Sequence, residues 1–298
     1  MTLDKTQTPR FVYIGQGGSL SLIPLKGLCD KGFRPEAVIV ADKSNRPKRL
    51  NLLPVKPPRL ADNLAGVADA LGLPLIYWQR GCEAEIAAKL AVISPDLVIM
   101  SCFPWKITEP LLDIPASGWW NLHPSLLPAY RGPTPLFWQA RAGEVQTGIS
   151  LHQVAASLDS GPIIGQHTVS MLDFQRYDLE IELAQQGANL IEQALLAFTV
   201  NQLQPRPQNE LDASYQGFPN QQDRCIEVTG TASAAYRFIR LVNSEYSLWF
   251  EAGNSRYKVI DAESFDDQAR LGEPYEFDDN NLTIQFEQGV LVVLAEEQ

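Results

Sequence analysis

Between residues 10 and 123 one pattern repeats: a short apolar run rich in β-branched and aromatic side chains, then a stretch with helical spacing. The runs are residues 10–15 (RFVYIG), 37–41 (AVIVA), 75–78 (LIYW), 96–101 (DLVIMS) and 118–123 (GWWNLH). Helix-like stretches run from Ser19 to about Asp30 and over residues 62–71 and 83–90. Strands apolar on both faces need cover on both faces, and a parallel return needs a long crossover. The alternation therefore predicts an α/β fold, a mostly parallel twisted sheet wrapped by helices. Such sheets bind ligands beyond the carboxyl ends of their strands, which directs attention to the loops after Ile14, Met100 and Asn121.

Beyond residue 147 the spacing predicts strands at 148–154 and 162–169 and a long helix over 179–200. Residues 202–223, rich in Gln, Asn and Pro and lacking periodicity, read as a linker or strap. A second unit follows, with one helix over 233–242 and short strands at 247–251, 257–261, 283–286 and 290–294, the pattern of a small β-barrel. The expected domains are residues 1–203, a linker at 204–223, and 224–298. The net charge of −11 is unevenly placed: residues 211–298 carry −10 of it. A phosphate-rich partner spread over the whole surface is therefore disfavoured.

Other features exclude function classes. No leading apolar segment or membrane-length run is present, and the four cysteines, Cys29, Cys82, Cys102 and Cys225, form no CxxC pair. Reduced thiols in a cytoplasmic protein are expected, with no metal and no membrane. The turn Gly15-Gln16-Gly17-Gly18-Ser19 lacks both the G-x-G-x-x-G spacing and a Walker lysine, which argues against a dinucleotide or a nucleoside triphosphate.

Chemistry concentrates in NLHPSLLPAYRGPTP, residues 121–135. Asn121 and His123 stand two apart on a strand, so both side chains leave one face, and the proline-rich stretch after them is too stiff and irregular for a helix. Asp159 lies in VAASLDSGPII between two predicted strands. These three residue types suit acyl transfer onto an amine. Asn donates to a developing oxyanion, protonated His stabilises that charge or gives a proton, and Asp sets the charge of His and accepts protons through water. An Asn-x-His pair is also an ordinary hydrogen-bonding arrangement at a strand end, so the surrounding string decides between the two.

That string resembles the N-x-H-x-S-L-L-P signature of the 10-formyltetrahydrofolate-dependent formyltransferases, and LDSGPIIGQ (residues 158–166) is similar to their Asp-containing loop. The resemblance runs in order through PDLVIMSCFPWKI and GEVQTGISLHQV, and the C-terminal part looks like the smaller β-barrel, OB-like, of the tRNA and sugar enzymes. It implies a Rossmann-like catalytic domain and a direct attack of the amine through a tetrahedral intermediate, with Asn121, His123 and Asp159 catalytic. It also implies pterin contacts from Phe103, Pro104, Trp105, Lys106 and Ile107 and from Ala155, Ala156 and Ser157. On the acceptor side it implies Gly15, Gln16, Gly17, Ser125 and Arg131, with Arg131 either positioning substrate or only anchoring its loop. Where many relatives carry an acidic residue and a glycine before the catalytic Asp, this chain reads Val154-Ala155-Ala156-Ser157.

The acceptor divides the sequence against itself. Lys43, Arg46, Lys48, Arg49, Lys56 and Arg59 form an acid-free basic stretch, placed where the tRNA enzymes carry a basic loop. The acidic C-terminal third opposes a polyanion. The expectation is a small amine, an amino sugar or biosynthetic intermediate, with the methionyl-tRNA formyltransferase reaction as the alternative. A formyltetrahydrofolate hydrolase and a non-catalytic folate binder are further options. His152 and His167, on alternating strand patterns, read as structural.

Overall fold

The computed structural model describes residues 8–42, 63–172 and 174–298. These divide into two compact units: residues 1–131, 148–168 and 180–213, and residues 132–147, 169–179 and 214–298.

Seven strands form the sheet of the first unit. They are β1 (Phe11–Gly15), β2 (Ala37–Asp42), β3 (Leu75–Gln79), β4 (Leu97–Ser101), β5 (Trp119–His123), β6 (Gln146–Gln153) and β7 (Ile163–Ser170), in the spatial order β3-β2-β1-β4-β5-β6-β7. The first five are parallel, with registers such as Tyr13↔Ile99 and Met100↔Asn121. β6 joins β5 antiparallel. Every residue of β1, β4 and β5 is buried, as expected of strands covered on both faces. The helices α1 (Ser19–Asp30), α2 (Leu64–Ala70), α3 (Glu83–Ile93), α4 (Glu109–Leu112) and α6 (Arg176–Thr199) alternate with or follow the strands, and α5 (Pro135–Arg141) lies between β5 and β6. The chain leaves β1 toward β2 and β3, then returns on the other side of β1 as β4 and β5. The carboxyl ends of β1 and β4 therefore flank the switch point where such sheets open a crevice.

That edge is tightly made. Pro24 lies inside α1 and has no N–H for the carbonyl of Leu20. The Ser101 hydroxyl at the end of β4 donates to that carbonyl instead, while Ser21 Oγ donates to Ser101 O at 2.8 Å and Tyr13 Oη to Ser21 O at 2.9 Å. A Cβ on Gly15 would meet Ser101 O at 2.8 Å, so the last position of β1 admits only glycine.

In the second unit α7 (Ala232–Val242) starts at Thr231, whose side chain accepts from Ala234 N. Its apolar face carries Phe238, Ile239, Leu241 and Val242, and Phe238 meets Phe137 of α5 with ring centroids 5.5 Å apart. Five strands, β8 (Leu248–Ala252), β9 (Ser255–Asp266), β10 (Tyr275–Asp278), β11 (Asn281–Gln285) and β12 (Val290–Glu297), form an antiparallel sheet in the order β10-β11-β12-β9-β8. The sheet curls into a half-barrel, and its two edge strands meet through Phe250 and Tyr275, with Tyr257 and Phe277 beside them. Three arginines of this unit face its own carboxylates: Arg141 reaches Glu227, Arg176 reaches Glu245, and Arg240 stands 3.9 Å from Asp261. Arg224 and Arg256 lie over the ring of Trp249. No helix among the described residues is long and apolar enough to cross a membrane.

Candidate active site

Four polar side chains gather at the carboxyl edge of β5. Asn121 and His123 leave the same face of that strand, and His152 stands directly opposite Asn121 on β6. Asp159 arrives from the loop at residues 154–161. All four are buried, the most exposed at 8%. The loop is shaped by two backbone features: Asp159 sits at φ 52°, and a Cβ on Gly161 would lie 1.9 Å from the Gln153 carbonyl oxygen. The sequence Val154-Ala155-Ala156-Ser157 thus still delivers a buried Asp159 to the cluster.

Hydrogen bonds fix the tautomers. His152 Nδ1 lies 2.7 Å from the Gln153 carbonyl, so it carries the proton and donates. Its Nε2 then accepts from Asn121 Nδ2 at 3.1 Å, which orients the Asn121 amide and leaves that nitrogen a second hydrogen. His123 Nε2 donates to Tyr130 O at 2.8 Å. Its Nδ1 faces Asp159 Oδ2 at 3.7 Å, and Asp159 Oδ1 is 3.6 Å from His152 Nε2. Burial pushes the His123 imidazole below its ordinary value, against the opposing pull of the Asp159 carboxylate and the Tyr130 carbonyl. A neutral imidazole therefore presents a bare Nδ1 to a carboxylate.

The loop after β5 uses its polar groups internally. Ser125, fully buried, donates to Ala129 O at 2.7 Å. Ser150 Oγ donates to Ser125 O and accepts from Leu127 N, and Gln166 donates to Leu127 O. Arg131 forms a two-point contact with Glu210 and donates to Gln208 Oε1. Ser125 and Arg131, expected on the acceptor side, thus place their polar atoms on protein partners, Ser125 on a carbonyl of its own loop and Arg131 on the side chains of Gln208 and Glu210.

Beside the cluster, residues 102–107 continue β4 at the same sheet edge. Phe103, Trp105 and Trp78 form a three-ring group with centroids 5.0 to 6.0 Å apart, while Pro104 and Lys106 are exposed and Ile107 joins the core. Trp78 Nε1 is buried with no hydrogen-bond partner. Ala155 is half-buried, and Ala156 and Ser157 are exposed. Gln16 and Gly17 are half-buried, and Gly17 forms a β-bridge with Asn63. The basic stretch from Lys43 to Arg59 lies outside the described residues. His167 is exposed on β7, whereas His152, read as structural from its strand pattern, is a full member of the cluster. Its signal was the pairing of β5 with β6, which places two alternating polar faces side by side.

The family model described as formyl transferase matches residues 15–197, more than half of the chain. The chain belongs to this family. It is 28% identical over 257 residues to the methionyl-tRNA formyltransferase of Herpetosiphon aurantiacus, covering 86% of this chain and 81% of that protein. The methionyl-tRNA formyltransferase of Parafrankia sp. is 31% identical over 251 residues, with 84% and 78% covered. Among solved structures, the N-formyltransferase from Helicobacter canadensis, in complex with folinic acid and dTDP-3-aminofucose, shares the fold. It superimposes with a TM-score of 0.67 at 20% identity over 97% of this chain and 100% of that one. This formyltransferase therefore has the family's two-part architecture. Among the described residues no group of three or more His, Cys, Asp and Glu side chains is arranged to hold a metal ion.

Proposed function

We propose that the chain transfers a formyl group from a 10-formyl folate to the primary amine of a small acceptor, with Asn121, His123 and Asp159 as its catalytic residues. The observation that carries this reading is the buried cluster itself: an oriented amide with a spare hydrogen, beside a neutral imidazole and a carboxylate that face each other as two acceptors. When bound, the folate supplies the formyl carbon and a departing nitrogen that takes up a proton. Asn121 Nδ2 offers its second hydrogen to the formyl oxygen as negative charge grows there. The space between His123 Nδ1 and Asp159 Oδ2 receives the proton that the attacking amine loses. The resulting imidazolium is held at Nε2 by Tyr130 O and at Nδ1 by Asp159, and its charge stabilises the oxyanion. The same proton is then returned to the leaving nitrogen, so the protein needs no nucleophile of its own.

The group of Phe103, Trp105 and Trp78, with the orphaned Trp78 donor, fits a flat heteroaromatic ring with polar edges, as a pterin is. Residues 103–107 and 155–157 are assigned to that end of the donor and Gly15, Gln16 and Gly17 to the acceptor. Charge supports a small acceptor: residues 211–298 carry net −10, and Arg141, Arg176 and Arg240 of the second unit already face carboxylates while Arg224 and Arg256 lie over an aromatic ring. The names of the relatives most similar in sequence favour a second reading, in which the acceptor is methionyl-tRNA. The test is formyl transfer at low salt to nucleotide-linked amino sugars and, separately, to charged initiator tRNA. Turnover with an amino sugar and none with tRNA is expected. Efficient tRNA formylation that is lost when Arg46, Lys48 and Arg49 become Ala would install the second reading. Donor breakdown at the same rate without any amine would replace both with a hydrolase.

A further inference from the structure

The strap at residues 204–213 reaches back to the catalytic loop. Gln208 Nε2 donates to two carbonyls there, Asp159 O and Gly161 O, each at 2.7 Å. Gln208 Oε1 accepts from Arg131 Nε at 3.2 Å and Nη2 at 2.9 Å. The same guanidinium holds both oxygens of Glu210, at 2.9 and 2.7 Å. A line of hydrogen bonds thus runs from Glu210 through Arg131 and Gln208 to the backbone of Asp159. Each member has its geometry set by the next: a planar fork fixes the Gln208 amide, and the amide plane fixes which way its two hydrogens point.

The loop needs such a hold. Asp159 sits in the left-handed region, which few non-glycine residues adopt although Asp tolerates it better than most, and Asp159 and Gly161 bracket that turn. The strap meanwhile has its own attachment, a backbone bridge between Ile163 and Arg206 with bonds of 2.8 and 2.9 Å, and Arg206 bonded to Gln166. Gln208 is therefore not what keeps the strap in place. Its bonds go to the loop that sets the distance from Asp159 to His123.

Resting on the catalytic reading above, we propose that Gln208 is a positioning residue: it fixes Asp159 at its 3.7 Å separation from His123, with Arg131 as its anchor and Glu210 as the counterion of that anchor. Gln208 touches no reacting atom. Its contribution is to hold the pair that handles the proton.

Gln208→Glu separates this role from a structural one. The new carboxylate keeps and strengthens the contact with Arg131, but it has no hydrogens for the two carbonyls and repels them. Arg131→Lys is the second variant; it keeps the charge opposite Glu210 and loses the planar fork. The chain has only three histidines, so the imidazole of His123 can be titrated by NMR in the full-length protein without any acceptor. Both variants are expected to melt close to the wild type while the His123 midpoint moves down by about half a pH unit, because the carboxylate that supports its protonated form withdraws. With whichever acceptor turns over, kcat is expected to fall about tenfold with the KM for 10-formyltetrahydrofolate nearly unchanged. A wild-type His123 titration and kcat in folded Gln208→Glu overturns the proposal; if that variant does not fold, the same result in Arg131→Lys does so. Asp159→Asn, measured alongside, tests the parent reading: full activity there removes the catalytic assignment, whereas its loss beside an unaffected Gln208→Glu removes only the positioning role.

Discussion

The first unit buries Asn121, His123, Arg131, His152 and Asp159, a concentration of charged and amide side chains beside central strands that are mostly apolar. In residues 214–298 of the second unit no charged or amide side chain is buried; the interior there is Leu248, Val259, Ile284, Leu291, Val293 and their neighbours. Burying a polar group is unfavourable unless every partner is supplied. The first unit accepts that cost around His123 and satisfies it with a network, while residues 214–298 leave every charged residue at least partly exposed, with Arg240 near Asp261 and Arg256 near Glu251. The concentration of buried charged and amide groups around His123 sets that region apart from residues 214–298, whose interior is apolar.

Breaking the network is expected to give the largest effects. Asn121→Ala and His123→Ala should each lower kcat by roughly 10²- to 10³-fold with folding retained by circular dichroism, the usual result of deleting one preorganised donor. Asp159→Asn should match them, since it removes the proton's second holder. His152→Ala should cost less, on the order of tenfold to a hundredfold, because the Asn121 amide survives but loses the acceptor that orients it. Steady-state kinetics with an unchanged KM for the donor would distinguish this from loss of binding.

A pH series sharpens the same contrast. The folded-state value of His123 is depressed by burial below its unfolded value near 6.5. Its contribution to stability is therefore complete above the unfolded value and is lost as the pH falls toward the folded value, since the unfolded chain takes up the proton first. Urea midpoints should decline between about pH 7.5 and 5.5 in the wild type, and decline less in His123→Gln.

In the second unit, Ile284→Val should cost about 1 kcal/mol of stability and leave kcat alone. Neutralising exposed carboxylates with Glu276→Gln and Asp278→Asn should stay within about 0.5 kcal/mol by denaturant titration. A rise in kcat/KM toward charged tRNA in that double variant would show that the acidic surface had been opposing a polyanionic acceptor.

Much of the sheet was legible because β1, β2 and β4 are short, nearly unbroken apolar runs between turn signals, the pattern expected of strands covered on both faces. The pair Asn121 and His123 was visible from strand periodicity, and Asp159 from the string around it. β10 was missed because Tyr275–Asp278 alternates aromatic with acidic residues at a sheet edge and is too short to show a period. α5 was missed because the prolines before it read as loop. His152 and Gln208 entered the site only through pairing between segments distant in sequence. Gln208 sits in a Gln-, Asn- and Pro-rich strap whose composition describes a linker and gives no sign of a contact 49 residues upstream.

That contact also ties the cluster to a residue made after all of its strands. A ribosome that has finished α6 has already delivered β1 to β7 and with them Asn121, His123, His152 and Asp159, but not the residue that bonds the carbonyls of Asp159 and Gly161. Gln208 comes with the next few residues made. A chain that ends before residue 208 therefore holds all four polar side chains of the cluster without the hydrogen bonds from Gln208 to the Asp159 and Gly161 carbonyls.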